Sequence, residues 1–431
     1  MLAKCNLLRP PTSILTVAVV LGWAPLVQEL AAQDCAPDNG GIDLPAGFCA
    51  QVFADSVGRA RHLVVAPNGD VFVALNASRG GASAAGVLAL HDSDGDGIAD
   101  LRKQFGERGG TGIALHDGHL YFGPDDGVLR YRLAAGSLEP SGLPETIVAG
   151  LPDERSHRAK SIVVSSDGAL FVNIGAPSNA CQEEDRTLGS RGMDPCPELE
   201  RRAGVWMFDA GGVGQAQSDG KRYATGLRNM LALNLDPLSG QLYGVQHGRD
   251  QLGQNWPDLF TPEQSAEKPS EELVRIEEGA DFGWPYCYHD PEQDLRVLAP
   301  EYGGDGKIAG RCAEKAAPLM AFPAHWAPNA LLFYTGTQFP ERYRGGAFIA
   351  FHGSWNRAPL PQGGYNVAFV PFQNGRPSAN WEIFADGFAA GDLSPRGARH
   401  RPSGLAQGPD GSLYVSDDKG GRIWRIYYSG E

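Results

Sequence analysis

Arginine and histidine cluster at four places in this chain, each a few residues ahead of a short apolar, turn, apolar phrase. The clusters are Arg61-His62, Ser156-His157, Arg228-Asn229 and Arg399-His400-Arg401. Guanidinium forks match carboxylates bidentately, so several of them converging suit an anionic ligand. Imidazole titrates near neutrality and acts as a general base when its surroundings tune it. On position His157 is the natural base, with His352 and His400 as competitors. Taken singly, each of these is an ordinary loop residue. The shared offset is what carries the reading.

The phrase itself is what must position them. Its copies are VVAPNGDVFV (64–73), ALHDGHLYF (114–122), VVSSDGALFV (163–172), LNLDPLSGQLYGV (233–245), YRGGAFIAF (343–351) and AQGPDGSLYVS (406–416). Each reads as a hairpin, because Asn-Gly and Asp-Gly supply the positive φ that tight turns need. Six of them at blade-like intervals predict an all-β fold, a six-bladed β-propeller with long inter-strand loops. Equivalent offsets in equivalent blades then become equivalent positions around one axis, on one face. Each blade has roughly 65 residues, more than four strands require, and the surplus goes to loops. Blade one is expected from about Ala50. The stretch 250–330 shows no hairpin phrase, and GGRIWRIYY (420–428) alternates like a strand able to pair with the N-terminal one and close the ring.

Lys4 and Arg9 precede the apolar run 14–27, and Ala31 and Ala32 follow. This pattern predicts an export signal over 1–33 and a secreted or periplasmic propeller domain over 34–431, with an uncleaved anchor as the alternative. Pro25 breaks the run and it is short, so no stable membrane insertion is expected. Beyond Cys5, six cysteines fall in three local couples, Cys35/Cys49, Cys181/Cys196 and Cys287/Cys312. An even count in an exported chain predicts disulfides, here between nearest neighbours. The loop 176–203 is expected to be held by the second. The net charge of −14 argues against a nucleic-acid partner. No Gly-rich phosphate loop or nucleophile elbow is present. DSDGDG (92–97) opens like a calcium loop, but Lys103 stands where the closing Glu belongs, so it reads first as a solvated Asp-rich turn and second as a small calcium site.

The runs HRAKSIVVSSDGALFVNIG (157–175), YATGLRNMLALNLDPLSGQLYGVQHGRDQLGQNWP (223–257), ADFGWPYCY (280–288), FHGSWNR (351–357) and RHRPSGLAQGPDGSLYVSDD (399–418) together resemble the soluble quinoprotein sugar dehydrogenases, the sorbosone and pyranose dehydrogenase-like members above all. The resemblance implies pyrroloquinoline quinone (PQQ) and Ca²⁺ bound on the axial face. It implies that His157 takes the sugar hydroxyl proton and that Arg228 stabilises the developing oxyanion. Arg61, Asn229, Arg399 and Arg401 would hold the cofactor. The carbonyls of Gly248 and Arg249 would bind Ca²⁺. The chain differs from the soluble glucose dehydrogenases at Ser156, where they have an acid, and at the turn His247-Gly248-Arg249-Asp250, where they have Gly-Pro. It differs also in blade five, where His352 or Arg357 takes the place of their Lys.

Trp355 and Trp284 are candidates for stacking on a flat cofactor or a sugar ring, with a place in the core as the alternative. The activity implied is oxidation of an aldose or an aldosone such as sorbosone to a lactone or acid, with electrons passed to a soluble or membrane acceptor. Two rivals come from other classes: a calcium-dependent propeller lactonase and a carbohydrate-binding propeller without turnover.

Overall fold

The computed structural model describes residues 1–3, 35–77, 85–154 and 156–430. Of the segment 1–33 read as an export signal, residues 4–33 lie outside the described ones. The unit Cys35–Glu431 is built around six blade sheets, five of four antiparallel strands and one of five. Blade one is Ala60–Val65, Val71–Leu75, Gly86–His91 and Leu101–Phe105. Blade two is Gly110–His116, His119–Pro124, Val128–Arg132 and Glu145–Ala149, widened by the parallel pair Gln215–Ala216. Blade three is Ile162–Val164, Ala169–Ile174, Gly204–Asp209 and Lys221–Thr225. Blade four is Ala232–Leu235, Leu242–Gln246, Glu271–Ile276 and Met320–Phe322. Blade five is Pro328–Phe333, Ala347–Phe351, Asn366–Val370 and Glu382–Ala385. Blade six is Pro402–Gln407, Leu413–Asp417 and Ile423–Tyr428, completed by Phe48–Ala54 from the other end of the chain.

The first strand of each blade contacts the first strand of the next, and the last meets the first, so these six strands line the axis. Six apolar clusters fill the spaces between adjacent blades, one per space. A blade therefore buries both faces, which is why its strands read as nearly continuous apolar runs rather than strict alternation. All three cysteine couples are bonded to their nearest neighbours.

Two expectations shift. Residues 48–54 form the closing strand of blade six, and blade one begins at Ala60. In blade five, YRGGAFIAF is not a hairpin: it holds the second strand, Ala347–Phe351, whose partner is Pro328–Phe333. Its leading Tyr343 ends a 3₁₀ turn and packs on Phe348 with ring centroids 6.0 Å apart. The turn at Gly345, closed by Gly346 N donating to Tyr343 O at 3.2 Å, leads into the second strand instead of joining two paired ones. The segment 250–330 supplies the two outer strands of blade four, together with an added hairpin, Cys287–Asp290 with Leu295–Leu298.

Phe48 shows how the closure is held. Its ring meets Phe339, Tyr343, Phe384 and Tyr428 with centroids 4.8, 5.3, 5.0 and 5.0 Å away. On the axis lies a cavity of about 340 Å³ lined from all six inner strands, including His62, Ile113, Ile162, Leu233, Leu331 and Leu405. His62 reaches from blade one to blade five and donates Nε2–H to Asn329 O at 2.8 Å. Burial lowers its pKa to about 4.

Phe48→Ala should cost about 3–5 kcal/mol, from lost transfer energy and the cavity left behind. Denaturant unfolding followed by tryptophan fluorescence reads this, and an unchanged midpoint would show that the closing strand contributes little. Between pH 6.5 and about 4 the unfolded chain binds a proton at His62 that the folded chain does not. Stability therefore falls as pH drops through that window. Thermal melts at pH 7 and pH 5 should show a smaller drop for His62→Gln than for the wild type.

Candidate active site

Two kinds of segment meet at one end of the ring. One leads into each inner strand; the other joins the second strand of a blade to the third. In blades one, two, five and six a bulge interrupts the start of the inner strand, at Ala60/Leu63, Gly110/Gly112, Pro328/Ala330 and Pro402/Gly404. Bulges re-aim side chains, and these act where the polar residues are needed.

Blades three and four hold the first group. His157 sits at φ 53°, a left-handed backbone that a non-glycine residue rarely adopts. Gly175 must be glycine for it to fit, since a Cβ there would lie 2.6 Å from the His157 Cβ. His157 Nδ1 donates to Ala176 O at 2.7 Å, which leaves the Nε2 lone pair free. Burial, helped by the nearby Arg228 charge, holds this imidazole well below its usual pKa. It is a neutral base at pH 7.

Arg228 is 3% exposed and locked on four acceptors. Nε and Nη2 donate to Asn179 O and Oδ1 at 3.2 and 3.1 Å, Nη1 to Gly248 O at 2.8 Å, and Nη2 to Asp250 Oδ2 at 2.9 Å. Its own backbone carbonyl accepts from Ala176 N at 2.7 Å, so Ala176 ties the His157 ring to the Arg228 backbone. Asn229 is buried beside it, and its Oδ1 carries no hydrogen bond. Burial pushes Asp250 up, but Arg228, His325 and Arg186 outweigh it and keep the carboxylate ionised.

Asn179 lies on the loop bridged by Cys181–Cys196. That loop is braced by Trp284, whose Nε1 donates to Asn179 O at 3.0 Å, and by Tyr302, whose hydroxyl donates to Ala180 O at 3.1 Å. Trp284 is thus a buried brace. Gly248 N donates to Glu271 Oε2 at 2.7 Å, and burial raises Glu271 to about 7. Arg249 is buried and ion-paired to Glu301. Its carbonyl accepts no hydrogen bond among the described residues, whereas Gly248 O is engaged by Arg228.

Blades five, six and one hold the second group. Asp418 takes Arg61 Nη1 on Oδ2 at 2.6 Å and His352 Nε2 on Oδ1 at 2.7 Å. Arg401 donates Nε to His352 O and Nη2 to Gly353 O, at 2.9 and 2.8 Å. Its backbone N–H and the ring of His400 both bind Asp417, at 2.7 Å each. Arg61 Nε is buried without a partner.

The two groups belong to one face. His247, pinned through Nε2 to Pro328 O at 2.8 Å and lowered to about 4 by burial, has both Arg228 and His352 as electrostatic neighbours. The structure therefore gathers His157, Arg228, Asn229, Gly248, Arg249, Arg61, His352 and Arg401. Arg399 is exposed, with no side-chain partner among the described residues. Arg357 is turned to backbone carbonyls, those of Pro361, Ala266 and Ala324. Trp355 is 60% exposed. In the 92–97 loop, Asp92 accepts Gly95 N and Gly97 N at 2.8 Å each. Asn179 and Asp418 are site residues that the sequence does not single out, and His247 is named only within the calcium turn, without a role. The last two lie within the quoted runs; Asn179 lies in a loop with no periodicity to mark it.

Comparison with known proteins agrees on the fold. The PQQ domain of the Coprinopsis cinerea pyranose dehydrogenase, in its holo form, superposes with a TM-score of 0.72 at 18% identity, covering 90% of this chain and 97% of that one. The calcium structure of the Trichoderma reesei family AA12 enzyme gives 0.73 at 19%, covering 90% and 97%. In sequence, the PQQ-dependent pyranose dehydrogenase of C. cinerea is 26% identical over 281 residues, which is 56% of this chain and 37% of that protein. The chain spans half or less of the length of the curated relatives it matches. Residues 42–429 match the TrAA12-like family across nearly the whole described ring, and the chain belongs to that family.

Proposed function

We propose that this protein is an exported, PQQ- and Ca²⁺-dependent dehydrogenase that oxidises an aldose, or an aldosone such as sorbosone, to a lactone or acid. One observation carries the reading: neutral His157, with a free Nε2, stands beside a buried Arg228 on a face that also presents Arg61 and Arg401. The relatives support it, since the C. cinerea protein is a PQQ-dependent pyranose dehydrogenase and the T. reesei structure is a calcium structure.

The residues suit PQQ, a triply carboxylated ring. Arg61 Nε and Asn229 Oδ1 are buried polar atoms without partners, as expected where a ligand completes the hydrogen bonding. Arg61, Arg228, Asn229, His352 and Arg401 would hold it. The carbonyls of Gly248 and Arg249 are hard oxygen donors of the kind Ca²⁺ prefers, and Asp250 adds negative charge beside them. When bound, PQQ supplies an electrophilic quinone that accepts the hydride leaving the sugar carbon.

The chain's own part is positioning and proton handling. His157 Nε2 takes the hydroxyl proton. The Nδ1–H bond to Ala176 O fixes the tautomer and aims the ring. Arg228 keeps a fixed positive charge where negative charge develops, held by four acceptors so that little reorganisation is needed.

The test adds PQQ and CaCl₂ to purified protein with a dye acceptor and a panel of sugars. PQQ-dependent dye reduction supports the dehydrogenase. Lactone hydrolysis without PQQ supports a lactonase, and sugar binding with neither activity supports a binding propeller. His157→Ala should lower turnover by about 10²–10⁴-fold with PQQ affinity retained. The acid limb of the kcat profile should lie below pH 6.5, because the folded ring stays neutral there. Full activity in the variant would rule out His157 as the base.

A further inference from the structure

Asp418 is 6% exposed, and two donors from different blades end on it, Arg61 from blade one and His352 from blade five. A carboxylate buried between a guanidinium and an imidazole stays ionised, since the pair forfeits too much if it is neutralised. The attraction of His352 and Arg61 outweighs its burial and drives its pKa far down. An ionised carboxylate only accepts hydrogen bonds. The hydrogen between Asp418 Oδ1 and His352 must therefore sit on Nε2. Burial lowers the His352 pKa, with Asp418 opposing, so the ring is neutral near pH 7. A neutral ring protonated on Nε2 has its lone pair on Nδ1, and Nδ1 makes no hydrogen bond among the described residues. The groups that bear on this ring electrostatically are Asp418, Arg401, Arg61 and His247.

We propose that Asp418 is a positioning residue that holds His352 as its Nε2–H tautomer, making Nδ1 a hydrogen-bond acceptor on the face that also carries the donors Arg61 and Arg401. The rim of blades five, six and one then presents one acceptor, His352 Nδ1, together with two donors, Arg401 and Arg61. It complements a planar anion that carries an N–H or O–H beside its carboxylates. PQQ, whose pyrrole N–H lies among its carboxylates, belongs to that class. This ligand assignment rests on the function proposed above; the tautomer does not. A purely mechanical role for Asp418, pinning the closed ring, would leave the tautomer free to change without effect on binding.

The experiment uses full-length protein with ¹⁵N-labelled histidine and no added cofactor. Long-range ¹⁵N–¹H spectra, with His352 assigned through His352→Gln, should show Nε2 protonated and Nδ1 bare at pH 7. In Asp418→Asn, the amide oxygen turns to Arg61 and the NH₂ faces His352, so the proton should move to Nδ1. PQQ titrated with excess CaCl₂ should then bind at least 10-fold more weakly, with Asp418→Glu recovering part of the loss. A wild-type ring protonated on Nδ1 overturns the proposal. So does Asp418→Asn with an unchanged tautomer, whatever its affinity, or a shifted tautomer with unchanged PQQ affinity. Should Asp418→Asn fail to fold, the wild-type spectrum and Asp418→Glu still decide. If wild-type protein binds no PQQ, the quinone reading fails, while the histidine spectra still judge the tautomer.

Discussion

Everything on the axial face depends on the ring being closed, and one strand pairing closes it. Phe48–Ala54 completes blade six by antiparallel pairing with Ile423–Tyr428. Without it blade six would present an open outer edge and lose Phe53 and Ala54 from the apolar cluster it shares with blade one. The Arg61–Asp418 contact joins residues from opposite ends of the fold at this seam. Asp55 makes a second tie there with Arg422. The aromatic cluster around Phe48 adds an apolar term to the same joint. Closure thus holds both the stability of the ring and half of its functional face.

Within that frame the face is organised by charge that has been taken out of water. Arg228 is charge-paired with Asp250 and Arg61 with Asp418, and none of the four is left as an uncompensated buried ion. Such pairs are costly to break and fix geometry more than they add net stability. The histidines follow the opposite rule. His62, His157 and His247 each spend one ring nitrogen on a backbone carbonyl and stay neutral through burial. The result is a set of fixed cations interleaved with neutral imidazoles, each held in one tautomer by a partner of known polarity.

The wall over blades three and four shows how loops achieve this rigidity. The segment carrying Asn179 has little regular structure, yet a disulfide, Trp284 and Tyr302 brace it. Asn179 then serves Arg228 with both its backbone and side-chain oxygens and holds Asp250 as well. The precision of the site comes from this bracing, because the inner strands end before they reach these residues.

The turn chemistry of five hairpins, the apolar strands between them and the three local cysteine couples were legible in the chain, since each depends on neighbours a few residues apart. The fold and the offsets of His157, Arg228, Arg61 and Arg401 followed from that local grammar. Blade five escaped it, because a long connection replaced the tight turn and its aromatic residues were recruited to packing. The partners of the site escaped for a different reason. Asp418 meets Arg61 across nearly the whole length of the chain, and Asn179 meets Arg228 from a loop without periodicity. Which nitrogen of each histidine carries the proton, and which arginines turn inward while Arg399 and Arg357 turn away, were decided only by tertiary structure. Those outcomes depend on burial and on the acceptor that happens to face each group, and both exist only once the ring has closed.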